Sequence, residues 1–176
     1  MGNEGGNEDW SDEVHRILAA HRVRQVAYVP DAGLARLIEL CQADPEMRAV
    51  PLTSEQEGVG LLAGAWLGGE RGALLMQSSG VGNCLNLLSL SRTCRFPLLL
   101  IATMRGEWGE FNPWQVPMGQ AAGQALELAG VVVERAESAA DVGPMVEAAA
   151  RLAFDGGARV AVLVAQRVVG FKSFRE

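Results

Sequence analysis

Cysteine is scarce in this sequence, and what there is does not pair. Cys41, Cys84 and Cys94 are odd in number and show no CxxC spacing, which excludes a disulfide framework and a zinc site built on cysteine pairs. A reduced, cytoplasmic chain is expected. Positive charge is also short: 15 Lys and Arg stand against 21 Asp and Glu, a net charge of −6. Without concentrated basic side chains to meet phosphates, neither nucleic acid nor an anionic membrane surface is an expected partner. No apolar run reaches the roughly 18 residues of a membrane span, and the polar start MGNEGGNED lacks the basic and apolar segments of a secretory leader. Met1-Gly2 begins like a myristoylation signal, but Gly6 stands where Ser or Thr belongs. The two histidines, His15 and His21, have no cysteine or histidine cluster around them and are expected at the surface or in packing. Neither GxGxxG nor GxxxxGK(S/T) occurs, so a dinucleotide fingerprint and a P-loop are both missing.

What is present is enough for one core. The chain has 176 residues, 49% of them hydrophobic, the size of a single domain. A disordered tail is expected over residues 1–8, a domain over 9–170 and a short tail over 171–176. Val14, Ile17, Leu18 and His21 recur at helical spacing after a Ser11 cap, and Gln25–Pro30 reads as a strand. Helices are predicted over Ala32–Ala43, from Ser54 onward, and over Gly82–Thr93, Gln120–Leu128 and Ala139–Phe154. Between them lie extended segments at Arg48–Leu52, Gly72–Gln77, Phe96–Thr103, Val131–Glu134 and Arg159–Ala165. Leu98–Ile101 and Val160–Val164 are apolar without alternation, which implies burial on both faces. The expected fold is α/β and doubly wound: a mostly parallel sheet of about six strands with helices on both faces. In such folds, sites lie beyond the carboxyl ends of the strands.

Four segments follow strands and therefore share that edge: Pro30–Gly33, Thr53–Gly58, Ser78–Asn83 and Met104–Gly119. In SSGVGN, Gly80 and Gly82 fit either a plain strand-to-helix turn or a turn that lets a ligand approach the backbone. In TSEQEG, Ser54 and Glu57 have the spacing of a capping box, and Glu55 falls at the first helical position, where an acid gains about 0.3–1 kcal/mol from the macrodipole. The glycines that follow are harder to explain, because Gly58, Gly60 and Gly64 each cost about 1 kcal/mol relative to alanine inside a helix. Gly60, Gly64 and Gly68 form a smooth ridge suited to close approach by another backbone or a flat ligand. The long fourth segment carries Trp108, Phe111 and Trp114, expected as an exposed interface in preference to simple packing over the sheet edge. Arg105, in the same loop, is a candidate contact for an anion or an ion-paired residue. Cys84 and Cys94 are expected to be small buried apolar groups.

With these residues in view, the chain resembles the pyrimidine-binding domain of thiamine diphosphate enzymes, in the branch of sulfopyruvate and phosphonopyruvate decarboxylases. The resemblance runs from about Val23 to Val169 and rests on TSEQEGVGLLAGAWLGG, LLMQSSGVGN, PLLLIATMRGE and QVPMG, in that order. In that family the catalytic glutamate precedes the glycine of an AG pair by nine residues. Counting back from Gly64 selects Glu55 and leaves Glu57 to the cap. The resemblance implies that Glu55 hydrogen-bonds N1′ of the aminopyrimidine, that Ser79, Gly80, Val81 and Gly82 lie near that ring, and that Pro30, Asp31 and Gln77 lie near an anionic 2-oxo acid substrate. Arg105 joins them as a contact for the substrate's sulfonate or phosphonate, on charge and loop position. The family's second motif, beginning Gly-Asp-Gly, does not occur here. Thiamine diphosphate is then expected to be shared with a separate diphosphate-binding beta subunit that also holds Mg2+, this chain holding no metal; self-association is expected too. Sulfopyruvate is the favoured substrate, because phosphonopyruvate enzymes usually resemble a fusion of both halves. A noncatalytic assembly subunit with the same fold and a nucleotide-binding domain are the rival expectations.

Overall fold

The computed structural model describes residues 9–170. The tails expected over residues 1–8 and 171–176, and with them the Met1-Gly2 start, lie outside the described residues. Six strands form one sheet: β1 (Val23–Tyr28), β2 (Arg48–Pro51), β3 (Arg71–Gln77), β4 (Leu98–Thr103), β5 (Val132–Ala136) and β6 (Arg159–Val164). Their order is β2-β1-β3-β4-β6-β5 and every pairing is parallel. The eight α-helices among the described residues are α1 (Trp10–Ala20), α2 (Ala35–Ala43), α3 (Glu55–Leu67), α4 (Ser78–Cys84), α5 (Leu88–Cys94), α6 (Val116–Leu128), α7 (Ala139–Phe154) and α8 (Gln166–Val169).

The continuous apolar strands are explained by two cores. Leu99 and Ile101 of β4 point into one, with Val14 and Leu18 of α1, Leu37 of α2 and Val146 of α7. Leu98, Leu100 and Ala102 point into the other, with Val59 and Leu62 of α3, Val81 of α4, Leu88 of α5 and Leu126 of α6. Each fully buried Leu or Ile contributes about 1.5–3 kcal/mol of transfer free energy, so a strand that buries both faces is anchored twice. The chain leaves β1 for β2 on one side and returns to β3 on the other, and the crevice beyond the carboxyl ends of β1 and β3 is the topological switch point.

Several predicted boundaries move for identifiable reasons. The cap of α1 is Asp9 in place of Ser11: the Asp9 carboxylate accepts the Ser11 N–H at 3.0 Å, and Ser11 is buried within the helix. The helix expected from Gly82 starts at Ser78 and is broken after Cys84, so SSGVGN is helical throughout, all but the last residue of α4, and no turn separates it from β3. The helix expected from Gln120 starts at Val116, behind a single 3-10 turn at Pro113–Gln115. Pro113 and Pro117 both fall in first-turn positions, where proline's missing N–H would have had no helical partner. Cys84 is buried as expected, but Cys94 is exposed, at the end of α5 where the chain turns through Arg95 at φ 55°. His15 and His21 hold α1 in place, each 3.0 Å from a carboxylate, on Asp44 and Glu147 respectively.

Within α3 the glycines divide into two groups. A methyl group on Gly58 would stand 2.5 Å from Leu74 Cδ1, so this glycine permits close packing of α3 on β3. Gly60 and Gly64 face open space, and Gly68 is the C-cap of the helix. The remaining ridge is exposed and continues into Trp66 and Leu67, which are 39% and 88% exposed.

Candidate active site

The two acids at the start of α3 have separate environments. Glu57 is exposed and closes a capping box with Ser54, its Oε2 accepting the Thr53 N–H at 2.9 Å and the Ser54 N–H at 3.4 Å. Glu55 is 7% exposed and turns onto α4. Asn83 Nδ2 donates to its Oε2 at 2.7 Å. Gly80, one turn before Asn83, lies flat under the carboxylate: an added Cβ would stand 2.5 Å from Cγ, Cδ and Oε1 of Glu55. The charge is felt nearby. Burial, and then the Glu55 carboxylate, push the Cys84 thiol up to about 12.

A second polar group assembles beside it across the switch point. Asp31, at the carboxyl end of β1, accepts from Thr103 Oγ1 at 2.7 Å, from the Gly33 N–H at 3.0 Å and from Gln77 Nε2 at 2.9 Å. Ser79 Oγ donates to Gln77 Oε1 at 2.9 Å. A carboxylate only accepts, so Asp31 fixes the orientation of the Gln77 amide, and that amide fixes the Ser79 hydroxyl. Ser79 and Gly80 are consecutive residues of α4, which joins this group to Glu55. A small cavity of about 90 Å³ opens beside it, lined by Asp31, Gly33, Thr103, Arg105 and Val169 among others.

Arg105 is committed elsewhere. It is 8% exposed, and its Nε and Nη2 meet Glu110 Oε2 and Oε1 at 2.6 and 2.7 Å. Glu110 also accepts the N–H groups of Gly106 and Asn112 at 3.3 and 3.0 Å and Gln166 Nε2 at 3.0 Å. The Arg105 guanidinium above all, helped by these backbone donors, holds the Glu110 carboxyl down to about 2. Gln166 Oε1 in turn accepts the N–H groups of Glu107 and Trp108 at 2.9 and 3.0 Å. The loop after β4 is therefore a braced platform, and it displays Trp108, Phe111 and Trp114 at 48%, 50% and 84% exposure, as the sequence predicts.

Of the remaining predicted residues, Pro30 is exposed at the end of β1, Val81 points into the core, and Gly82 is exposed with its Cβ position 3.4 Å from Met118 Sδ. Asn83, Thr103, Glu110 and Gln166 were not singled out from sequence. Asn83 had a usable signal, its i+3 spacing from Gly80, hidden because the segment read as a turn. Among the described residues no group of three or more His, Cys, Asp or Glu side chains could hold a metal ion, and no helix is long and apolar enough to cross a membrane.

A parallel doubly wound sheet with a buried carboxylate and an ordered polar network at its switch point defines a small-molecule-binding α/β domain. Residues 9–118 match the family of thiamine pyrophosphate enzymes in their N-terminal, TPP-binding domain, and the chain belongs to that family. It is 40% identical over 121 residues to the sulfopyruvate decarboxylase subunit alpha of Methanothermobacter thermautotrophicus, an alignment covering 68% of this chain and 73% of that one. It is 42% identical over 108 residues to the phosphonopyruvate decarboxylase of Streptomyces viridochromogenes, covering 60% of this chain but 27% of that enzyme. Among solved structures, the 2-oxoglutarate:ferredoxin oxidoreductase of Magnetococcus marinus superposes with a TM-score of 0.73 at 16% identity, over 90% of this chain and 29% of that one. At that identity, the likeness is one of fold.

Proposed function

We propose that this chain is the pyrimidine-binding subunit of a thiamine-diphosphate-dependent 2-oxo acid decarboxylase that converts sulfopyruvate to sulfoacetaldehyde and carbon dioxide together with a separate beta subunit. The observation that carries the proposal is Glu55, a carboxylate 7% exposed that has one donor among the described residues. A carboxylate offers about four acceptor sites, so Oε1 retains capacity at the mouth of the helix.

Bound thiamine diphosphate supplies a nucleophilic carbon and the electron sink that loss of carbon dioxide requires. The chain's own residues fit the pyrimidine half of that cofactor. Glu55 Oε1 would accept a hydrogen bond from a protonated ring nitrogen and help hold the proton there. Gly80, without a side chain, lets the Glu55 carboxylate lie against α4. Ser79, its proton committed to Gln77, presents lone pairs to an N–H donor. Asp31 and Gln77 face the substrate side of the crevice from β1 and β3, with Pro30 at its rim. Arg105 adds positive potential behind Asp31, but its planar donor edge is occupied by Glu110, so direct contacts to the substrate's sulfonate fall mainly to the partner.

In this proposal the diphosphate and Mg2+ are held by the beta subunit, and the braced aromatic loop and the bare ridge of α3 are the surfaces that meet it or a second copy of this chain. Identity to a relative called subunit alpha supports sulfopyruvate. The comparable identity to a phosphonopyruvate decarboxylase makes phosphonopyruvate the second reading. The test is to co-express the chain with a candidate beta subunit carrying the Gly-Asp-Gly motif and to assay aldehyde release from both acids with thiamine diphosphate and Mg2+. Release from sulfopyruvate by the complex, and by neither subunit alone, is expected. Release from phosphonopyruvate alone would replace the substrate, and a stable complex releasing nothing would favour a noncatalytic assembly subunit.

A further inference from the structure

We propose that Asn83 is a positioning residue for Glu55, selecting which carboxylate oxygen meets the pyrimidine; this rests on the function proposed above. Gly80 and Asn83 lie one helical turn apart on the same face of α4, and Glu55 is held by both. Asn83 grips Oε2 through a 2.7 Å hydrogen bond, while the bare backbone at Gly80 forms a wall beneath Oε1. Since a carboxylate can only accept, the amide must turn its nitrogen toward Glu55 and its own oxygen away. The result is a carboxylate with one oxygen tied down and the other presented, set in place before any ligand arrives.

The chemistry of the site needs this. A flexible glutamate at a helix mouth can swing either oxygen, or neither, toward a ring nitrogen, and misplacement by about 1 Å costs on the order of 10²-fold in rate. Among the described residues no other side chain donates to Glu55. Ser79 and Ser78, the other polar side chains of α4, are engaged with Gln77 and with the Arg105 N–H, and Arg105 and Glu110 are closed on each other. Nor does Asn83 serve the core: it is exposed, and asparagine is a mediocre helix former that a purely structural position would not call for.

Asn83→Ala removes the donor, and Asn83→Asp keeps the shape but sets a second carboxylate against Glu55 in place of the donor. In the complex with the beta subunit, both are expected to lower kcat on the order of 10²-fold with KM for substrate close to wild type, and the urea midpoint of the chain falls as well because a buried carboxylate loses its donor. In the full chain without cofactor, the Asn83 side-chain amide signals in a nitrogen-15 NMR spectrum, identified by their loss in Asn83→Ala, are expected to move in Glu55→Gln. Wild-type kcat in both variants, or amide signals that ignore Glu55→Gln, would overturn the proposal, as would a rise in KM that accounts for the whole loss with kcat unchanged. A wild-type complex that decarboxylates neither acid would refute the function proposed above, and the amide signals would still decide whether Asn83 grips Glu55.

Discussion

Two buried glutamate side chains sit at the carboxyl edge of the same sheet, in opposite circumstances. Glu110, whose side chain is 3% exposed, is met by two guanidinium nitrogens of Arg105, two backbone N–H groups and the amide of Gln166. Glu55, 7% exposed as a whole residue, has Asn83. Burying a carboxylate is costly unless it is paired or hydrogen-bonded, and the first site meets that cost inside the chain. The second does so in part. The difference separates structure from chemistry: a carboxylate with every acceptor filled braces a loop, whereas one left with an open oxygen against a bare helix turn has a place for something that donates.

Breaking the braced side should have the largest effect. Glu110→Gln leaves Arg105 buried without its counter-charge, and losing one partner of a buried pair costs about 3–5 kcal/mol, read as a large drop in the urea midpoint. An unchanged midpoint would show that the loop is not braced this way. The same pair has a pH signature. Glu110 is held at about 2 against an ordinary 4.5, so its contribution is full above pH 4.5 and is lost as pH falls toward 2. Midpoints measured across that interval should fall less steeply in Glu110→Gln than in the wild type.

Crowding the open side should have a smaller effect on stability. Gly80→Ala puts a methyl group where the Glu55 carboxylate lies, and overpacking costs about 1–3 kcal/mol. Aldehyde release should fall together with stability, because Glu55 has to move. Glu57→Ala removes only the cap and an acid in the first turn, about 0.3–1 kcal/mol, and should leave aldehyde release unchanged. The smallest effect is chemical: at neutral pH iodoacetamide should label Cys94 alone, since burial pushes the thiols of Cys41 and Cys84 up to about 12. Labelling of Cys84 at a similar rate would mean that α4 does not cover it.

Much of this edge was legible from sequence because the signals were local. The apolar runs of β4 and β6 implied a parallel sheet buried on both faces, and the spacing from Ser54 to Glu57 implied the cap. The resemblance then separated Glu55 from Glu57 by its distance to Gly64. What remained hidden depended on tertiary contact. Gly80 and Gly82 read as turn formers, yet the backbone there is helical, and the reason for Gly80 is the carboxylate of a different helix. Arg105 read either as a contact for an anion or as a solvated or ion-paired loop residue; the ion pair is what forms, with a partner five residues away that only the fold of the loop brings to it. Cys94 looked like Cys84 in sequence and differs because α5 ends there.

The most direct test of the distinction between the two regions is aldehyde release by Glu55→Gln in the complex with its beta subunit, with the urea midpoint of the chain measured in parallel. Removing a group that holds a proton in the reaction typically costs about 10²–10⁴-fold. The predicted result is a rate lower by that order with the midpoint close to wild type. A Glu55→Gln complex that releases aldehyde at nearly the wild-type rate would contradict the account.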